Sequence, residues 1–174
     1  MTIILHNIRS VYNVGSIFRT ADAVGVEKIY LCGITPIPID RFGKWRLQLT
    51  KVSLGAEKTV PWEYQKSAVA VIKKIKGGGH KIFAVEQDKK SVSYYKIKPT
   101  TRNLDKIVLI FGNEVMGLPK SILKFADEIL EIPMRGKMVR HAHHPKNYPE
   151  LSRRKESLNV SVAFGIVAYH LNFQ

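Results

Sequence analysis

The run Ile107-Val-Leu-Ile-Phe111 has no polar position on either face. A strand of that kind belongs in the middle of a parallel sheet with helices covering both sides. Parallel strands need crossover connections, so strands and helices should alternate along the chain. They do. Strand patterns fall at 1–5, 28–32, 81–85, 107–111 and 128–132, with helical spacing at 14–24, 65–76, 119–125 and 159–173. In the first helix Ile17, Ala21 and Val24 share a stripe that stops at Gly25, a common residue just past a helix end. Pro119 suits a first helical position, where no N–H is needed. The last helix places Val160, Ala163, Phe164, Val167, Ala168 and Leu171 on one face, with Val162, Ile166 and Tyr169 on other sides. A helix apolar nearly all round calls for burial, in the core or by a second subunit. With 174 residues and no repeat or linker, the reading is one α/β domain spanning 1–174.

Charge narrows the partners. The chain carries 28 Lys+Arg against 14 Asp+Glu, a net +14, which draws it to nucleic acid or an anionic membrane face. No apolar run approaches the ~20 residues a membrane span needs. No secretory signal is visible, and the single Cys32 cannot form an internal disulfide, so the expected location is cytoplasmic. The least regular stretches, 35–55 and 135–157, are both basic. Residues 41–51 hold four Lys/Arg and no acid, and 135–156 hold seven Lys/Arg against Glu150 and Glu156.

Three clusters sit at strand ends or loop-to-helix junctions, where open α/β sheets bind ligands. The first is Asn13-Val-Gly-Ser-Ile-Phe-Arg19. Asn13 and Ser16 read plainly as helix caps. Arg19 lies off the apolar stripe and reads plainly as a surface partner of Asp22. The second, Phe111-Gly-Asn-Glu-Val-Met-Gly117, follows the central strand. Gly112 and Gly117 allow a tight turn with exposed backbone amides. The spacing matches the glycines of a phosphate loop, but Leu118-Pro119 stands where Lys-Ser/Thr is required. The third is Ile132-Pro-Met134 followed, after a long gap, by Ser157-Leu-Asn-Val-Ser161, where Ser157 or Asn159 reads as a helix cap. The histidines of Arg140-His-Ala-His-His144 lack zinc spacing, and no metal site is expected.

In this order the clusters resemble the three motifs of the SPOUT superfamily of RNA methyltransferases, in its SpoU (TrmH-like) branch, over about residues 7–174. The matching elements are Asn13-x-Gly-Ser-x-x-Arg19 with Ala-Asp-Ala-x-Gly25, Phe-Gly-Asn-Glu-x-x-Gly-Leu118, and Ile-Pro-Met134 with Ser-Leu-Asn-Val-Ser161. Ser53-Leu-Gly-Ala-Glu57 also resembles a segment common between the first two motifs. The resemblance implies a parallel-sheet fold with a C-terminal trefoil knot and a homodimer packed through the terminal helix. It implies transfer of a methyl group from S-adenosylmethionine to a ribose 2′-hydroxyl of tRNA or rRNA. Gly112, Ile132, Ser157 and Leu158 match positions that hold the cofactor; Asn113, Pro133 and Met134 flank them, and Val85 ends the strand beside the adenosine. Arg19 matches the arginine assigned to the 2′-hydroxyl, with Asn13, Glu114, Ser157 and Asn159 around it.

Two departures bear on the RNA. The 22 residues of 135–156 stand where this branch has a handful, and Arg153, Arg154 and Lys155 there are expected to contact phosphates. The N-terminal RNA-binding extension of many ribosomal-RNA members is not seen. Two other readings stay open: a non-catalytic RNA-binding module that kept the fold, and a base methyltransferase of another SPOUT branch.

Overall fold

The computed structural model describes residues 1–98, 106–134 and 157–173. Its strands are β1 (Thr2–His6), β2 (Lys28–Cys32), β3 (Trp62–Gln65), β4 (Lys81–Val85), β5 (Val92–Ser93), β6 (Ile107–Phe111) and β7 (Glu128–Glu131). They form one sheet in the order β3-β2-β1-β6-β4-β7-β5, parallel throughout. The described helices are α1 (Val11–Val24), α2 (Leu47–Ser53), α3 (Ala56–Thr59), α4 (Ala68–Lys76), α5 (Lys120–Leu123) and α6 (Val160–Asn172).

The apolar β6 run is buried at all five positions, as its composition requires. Its side chains alternate between two cores. Leu109 and Phe111 join Ile3, Leu5, Leu31 and Phe83 against α1 and α6. Val108 and Ile110 join Ile4, Cys32, Ile82 and Ala84 against α4 and α5. The Cys32 thiol is pushed up to about 12 by burial, with the Glu63 charge adding to it, so at neutral pH it packs as a small hydrophobe. Among the described residues no helix is long and apolar enough to cross a membrane.

Helix α1 begins at Val11, three residues before the start expected at 14. Ser10 is the cap, its hydroxyl accepting from the Asn13 amide at 3.3 Å. Asn13 and Ser16 therefore lie inside the helix, and neither caps it. Gly15 faces α2 so closely that a Cβ there would stand 2.8 Å from the Leu49 carbonyl oxygen and 3.1 Å from the Val52 Cβ. The two backbones meet because this position has no side chain. Gly15→Ala should force them apart and destabilise the protein by about 1–3 kcal/mol, the usual range for overpacking. Thermal denaturation would test this, and an unchanged midpoint would mean α2 yields freely.

Three expectations need correction. Residues 62–65 pair with β2 as a strand, and α4 starts only at Ala68 behind Ser67, whose side chain accepts from the Ala70 amide. Trp62 and Tyr64 favour a pleated surface over a helix start. Pro119 is the residue before α5, extended at φ −70°, ψ 154°, and not its first turn. The stretch 35–55 contains a short hairpin and α2, which buries only Leu49 and Ser53 and so leaves little periodic signal. Segment 53–57 is a built corner: Glu57 is buried, with the Ser53 hydroxyl donating to its carboxylate at 2.5 Å and the Gly55 amide at 3.1 Å.

Helix α6 buries Val160, Phe164, Val167, Ala168 and Leu171 against α1 and the sheet. Its other side leaves Val162 and Tyr169 about half exposed, with Tyr169 stacked on Phe173 at 5.4 Å between ring centres.

Candidate functional site

Strands β4, β6 and β7 end side by side, and the start of α6 lies against them. Between them is a cleft of about 690 Å³, counting its open mouth, within the range of small-molecule sites. Phe111, Leu130, Val160 and Ala163 supply apolar lining; Glu86, Gln87, Asn113, Glu114, Glu131 and Ser157 are its polar groups. Of the residues singled out in the sequence, Val85, Gly112, Asn113, Glu114, Ile132, Met134, Ser157 and Leu158 all line it. Pro133 sits between two lining residues without lining the cleft itself. Among the described residues the lining holds three carboxylates and no Lys or Arg.

The loop after β6 is held from inside. The Asn113 side-chain oxygen accepts from the Val115 and Met116 amides, both at 2.9 Å, and its carbonyl accepts from Gly117 at 2.8 Å. The Asn113 amide group donates to the Asn7 carbonyl at 2.8 Å, tying this loop to the end of β1. Leu118 donates its amide to Glu86 at 2.7 Å. The amides expected to face a ligand are thus largely engaged in the loop. Gly117 has φ 65°, and a Cβ there would fall on the Glu86 carboxylate. The positive φ is what favours glycine here. Glu86 itself has no motif around it; only its position after a strand end marks it.

Asn13 and Asn159 stand beside the cleft and join its edge to two helices. The Glu114 carboxylate accepts from the Arg9 amide at 3.1 Å, the Ser10 amide at 3.3 Å and the Asn13 side-chain amide at 3.0 Å. Asn159 donates to the Asn13 side-chain oxygen at 3.0 Å, and as the cap of α6 accepts from Ser161 at 2.9 Å. One residue from each sequence cluster meets here. Burial pushes the Glu114 carboxyl up, but the hydrogen bonds from Arg9, its own amide, Asn13 and Ser10 outweigh it, and the pKa lies below the ordinary value.

Arg19 is not in the cleft. It lies about 9 Å further along α1 than Asn13 and about 120° round it, exposed to solvent. It does not pair with Asp22, whose carboxylate instead accepts from the Thr59 hydroxyl at 2.7 Å. Among the described residues Arg19 forms no ion pair or hydrogen bond through its side chain. The seven basic residues of 135–156 and the histidines of 140–144 lie outside the described residues.

Residues 1–140 match the SpoU rRNA Methylase family. A tRNA (guanosine(18)-2'-O)-methyltransferase of Aquifex aeolicus is 30% identical over 97% of this chain and 66% of its own length. The 23S rRNA (guanosine-2'-O-)-methyltransferase RlmB of Neisseria meningitidis is 27% identical over 96% of this chain and 56% of its own. The crystal structure of an AdoMet-bound rRNA methyltransferase from Sinorhizobium meliloti superposes with a TM-score of 0.75 at 27% identity, over 97% of this chain and 54% of that one. The chain thus spans between about half and two thirds of the length of these relatives. With the match covering most of its residues and the same sheet underneath, the chain belongs to the SpoU rRNA methylase family.

Proposed function

We propose that this chain is a single S-adenosylmethionine-dependent methyltransferase domain that modifies ribose 2′-hydroxyls of tRNA or rRNA in the cytoplasm. The observation that carries the reading is the cleft at the ends of β4, β6 and β7, lined by two of the three clusters and by the start of α6. Its chemistry fits the cofactor. An apolar lining suits an adenine ring, and the carboxylates of Glu86, Glu114 and Glu131 on the described rim suit a sulfonium and an ammonium group. Val85, Gly112, Asn113, Ile132, Met134, Ser157 and Leu158 would hold it, with Pro133 setting the backbone between two of them. When bound it would supply the methyl group: its S–CH₃ bond breaks as the O–CH₃ bond forms, leaving a neutral thioether, and the 2′-hydroxyl proton passes to solvent water.

The protein's own part is to bind and orient. A guanidinium offers only donors and no acceptor, so the role of Arg19 is that of a cation. It holds a phosphate near the target ribose and stabilises negative charge as it grows on the 2′ oxygen. Ser157 lines the cleft, and its part is to contact the ribose. Asn13, Glu114 and Asn159 bond to one another and act as positioning residues that lock α1, the β6 loop and α6 together. We also infer the C-terminal trefoil knot of the SPOUT fold and a homodimer that covers Val162, Tyr169 and Phe173. Exposed apolar surface on a terminal helix supports the second copy.

The test is incubation of the purified protein with methyl-labelled S-adenosylmethionine and unmodified tRNA or rRNA, followed by nucleoside analysis and light scattering. Label on ribose 2′ oxygens, from a dimer, is the expected result. Label on bases would place the chain in another SPOUT chemistry, and RNA binding without transfer would make it a binding module.

A further inference from the structure

The positive charge of the 35–55 stretch takes no part in the cleft, and the structure gives that stretch a defined shape. Residues 38–46 form a small hairpin leaving the end of β2. The Arg46 amide donates to the Pro38 carbonyl at 2.8 Å, the Asp40 amide to the Lys44 carbonyl at 2.7 Å, and Ile39 bridges Trp45 in antiparallel fashion. At the tip the Asp40 carboxylate turns inward, accepting from the Phe42 amide at 2.8 Å and the Lys44 amide at 2.9 Å. Arg46 donates its Nε proton to the Ile37 carbonyl at 3.0 Å, fixing the base of the hairpin.

What the hairpin shows to solvent is rings and cations. Phe42 is 71% exposed and Trp45 41%. The Arg41 guanidinium lies 4.7 Å from the centre of the Phe42 ring, and the Lys58 ammonium 5.5 Å from that of Trp45. Lys44 and Lys51 add charge nearby. The two acids of the region are both engaged internally, Asp40 in the turn and Glu57 in its buried corner. The hairpin also sits at the carboxyl edge of the sheet, the edge on which the cleft opens, with only β1 between β2 and β6. The helix it leads into, α2, packs on α1 at Gly15, four residues before Arg19.

Exposed aromatic rings flanked by cations are the surface that single-stranded nucleic acid binds, by base stacking and phosphate contact. RNA readers take unpaired bases in this way because bases inside an A-form helix are out of reach. We propose that the 38–46 hairpin is an RNA-docking arm. It stacks an unpaired base of the substrate on Phe42 or Trp45 and holds the adjacent phosphates with Arg41 and Lys44. This rests on the RNA reading above and names the part of the RNA that the arm takes: a loop nucleotide.

The experiment measures binding of the full chain to a fluorescent mixed-sequence 12-nucleotide RNA, as single strand and as duplex, over a range of salt concentrations. Phe42→Ala should weaken single-strand binding roughly 5- to 150-fold, the range for removal of one stacked base, without changing the salt slope. Phe42→Tyr should keep the affinity, and Phe42→Leu should lose it, since area without a π face does not stack. Arg41→Ala with Lys44→Ala should flatten the slope of log affinity against log salt by about 0.7 for each phosphate left without its cation. Calorimetry with S-adenosylmethionine and a melting curve should match the parent for all variants. Parent-like binding by Phe42→Ala and Trp45→Ala, or equal losses on single strand and duplex, would overturn the arm while leaving the methyltransferase reading intact. Failure of the parent protein to bind or methylate any RNA would overturn both.

Discussion

Arg19→Ala is expected to lower methyl transfer to RNA by at least roughly 100-fold while leaving the melting temperature and the affinity for S-adenosylmethionine unchanged. The size follows from the role. Removing one fixed donor or cation aimed at developing oxyanion charge costs about 10²–10³ in rate. Its selectivity follows from the geometry. Arg19 is exposed on α1, outside the cleft, and its side chain holds no other described residue, so neither fold nor cofactor depends on it. Arg19→Lys keeps a charge but loses the planar fork that grips phosphate, and should recover only part of the rate. Single-turnover transfer of labelled methyl, with a melting curve and cofactor calorimetry beside it, separates these outcomes. A variant that retained most of its turnover would remove Arg19 from the chemistry. One that lost cofactor binding would mean that the arginine acts on the cleft.

Whether a feature is legible in the sequence depends on how local it is. The β6 run and the α1 stripe are short-range patterns, and both form where their periodicity places them. The cleft is legible for a related reason. The loops ending β6 and β7 carry recognisable strings, and parallel strands bring their carboxyl ends to one edge whatever the intervening chain does. Features made by the meeting of distant segments are not legible. Asn13 reads as a helix cap because nothing near it in sequence shows that its amide lies between Glu114 and Asn159. Glu86 gives no signal because its partner, the Leu118 amide, is 32 residues away. Gly15 reads only as part of a motif, and its physical reason is the approach of α2. Residue 65 reads as a helix start because Ser67, the actual cap, follows a strand too short to announce itself.

Glu114 is the residue whose loss should reach furthest through the fold. Its carboxylate accepts from both the Arg9 and Ser10 amides, which lead into α1, and it orients the Asn13 amide group whose oxygen receives Asn159 from the α6 cap. Glu114→Ala strands these donors at a half-buried junction. Hydrogen bonds to a charged group contribute about 1.5–3 kcal/mol each, and water reaching this junction should replace part of that, so a net loss of about 2–3 kcal/mol is expected. For a protein of this size that lowers the melting temperature by about 5–10 °C. Cofactor affinity should fall as well, because Asn113 and Glu114 both line the cleft. Glu114→Gln keeps one acceptor oxygen and should fall between the two. The pH dependence follows from the lowered pKa of Glu114 in the fold. A depressed carboxylate contributes stability that is fully present above its unfolded value, near 4.5, and is lost as the pH falls through the lower folded value. The stability gap between parent and Glu114→Gln should therefore hold from pH 8 down to about 5 and close as the pH falls below 4.5 through the lowered folded value. Melting curves across that range would decide it. A gap that persisted unchanged in acid would mean that the carboxylate's charge is not what joins the three segments.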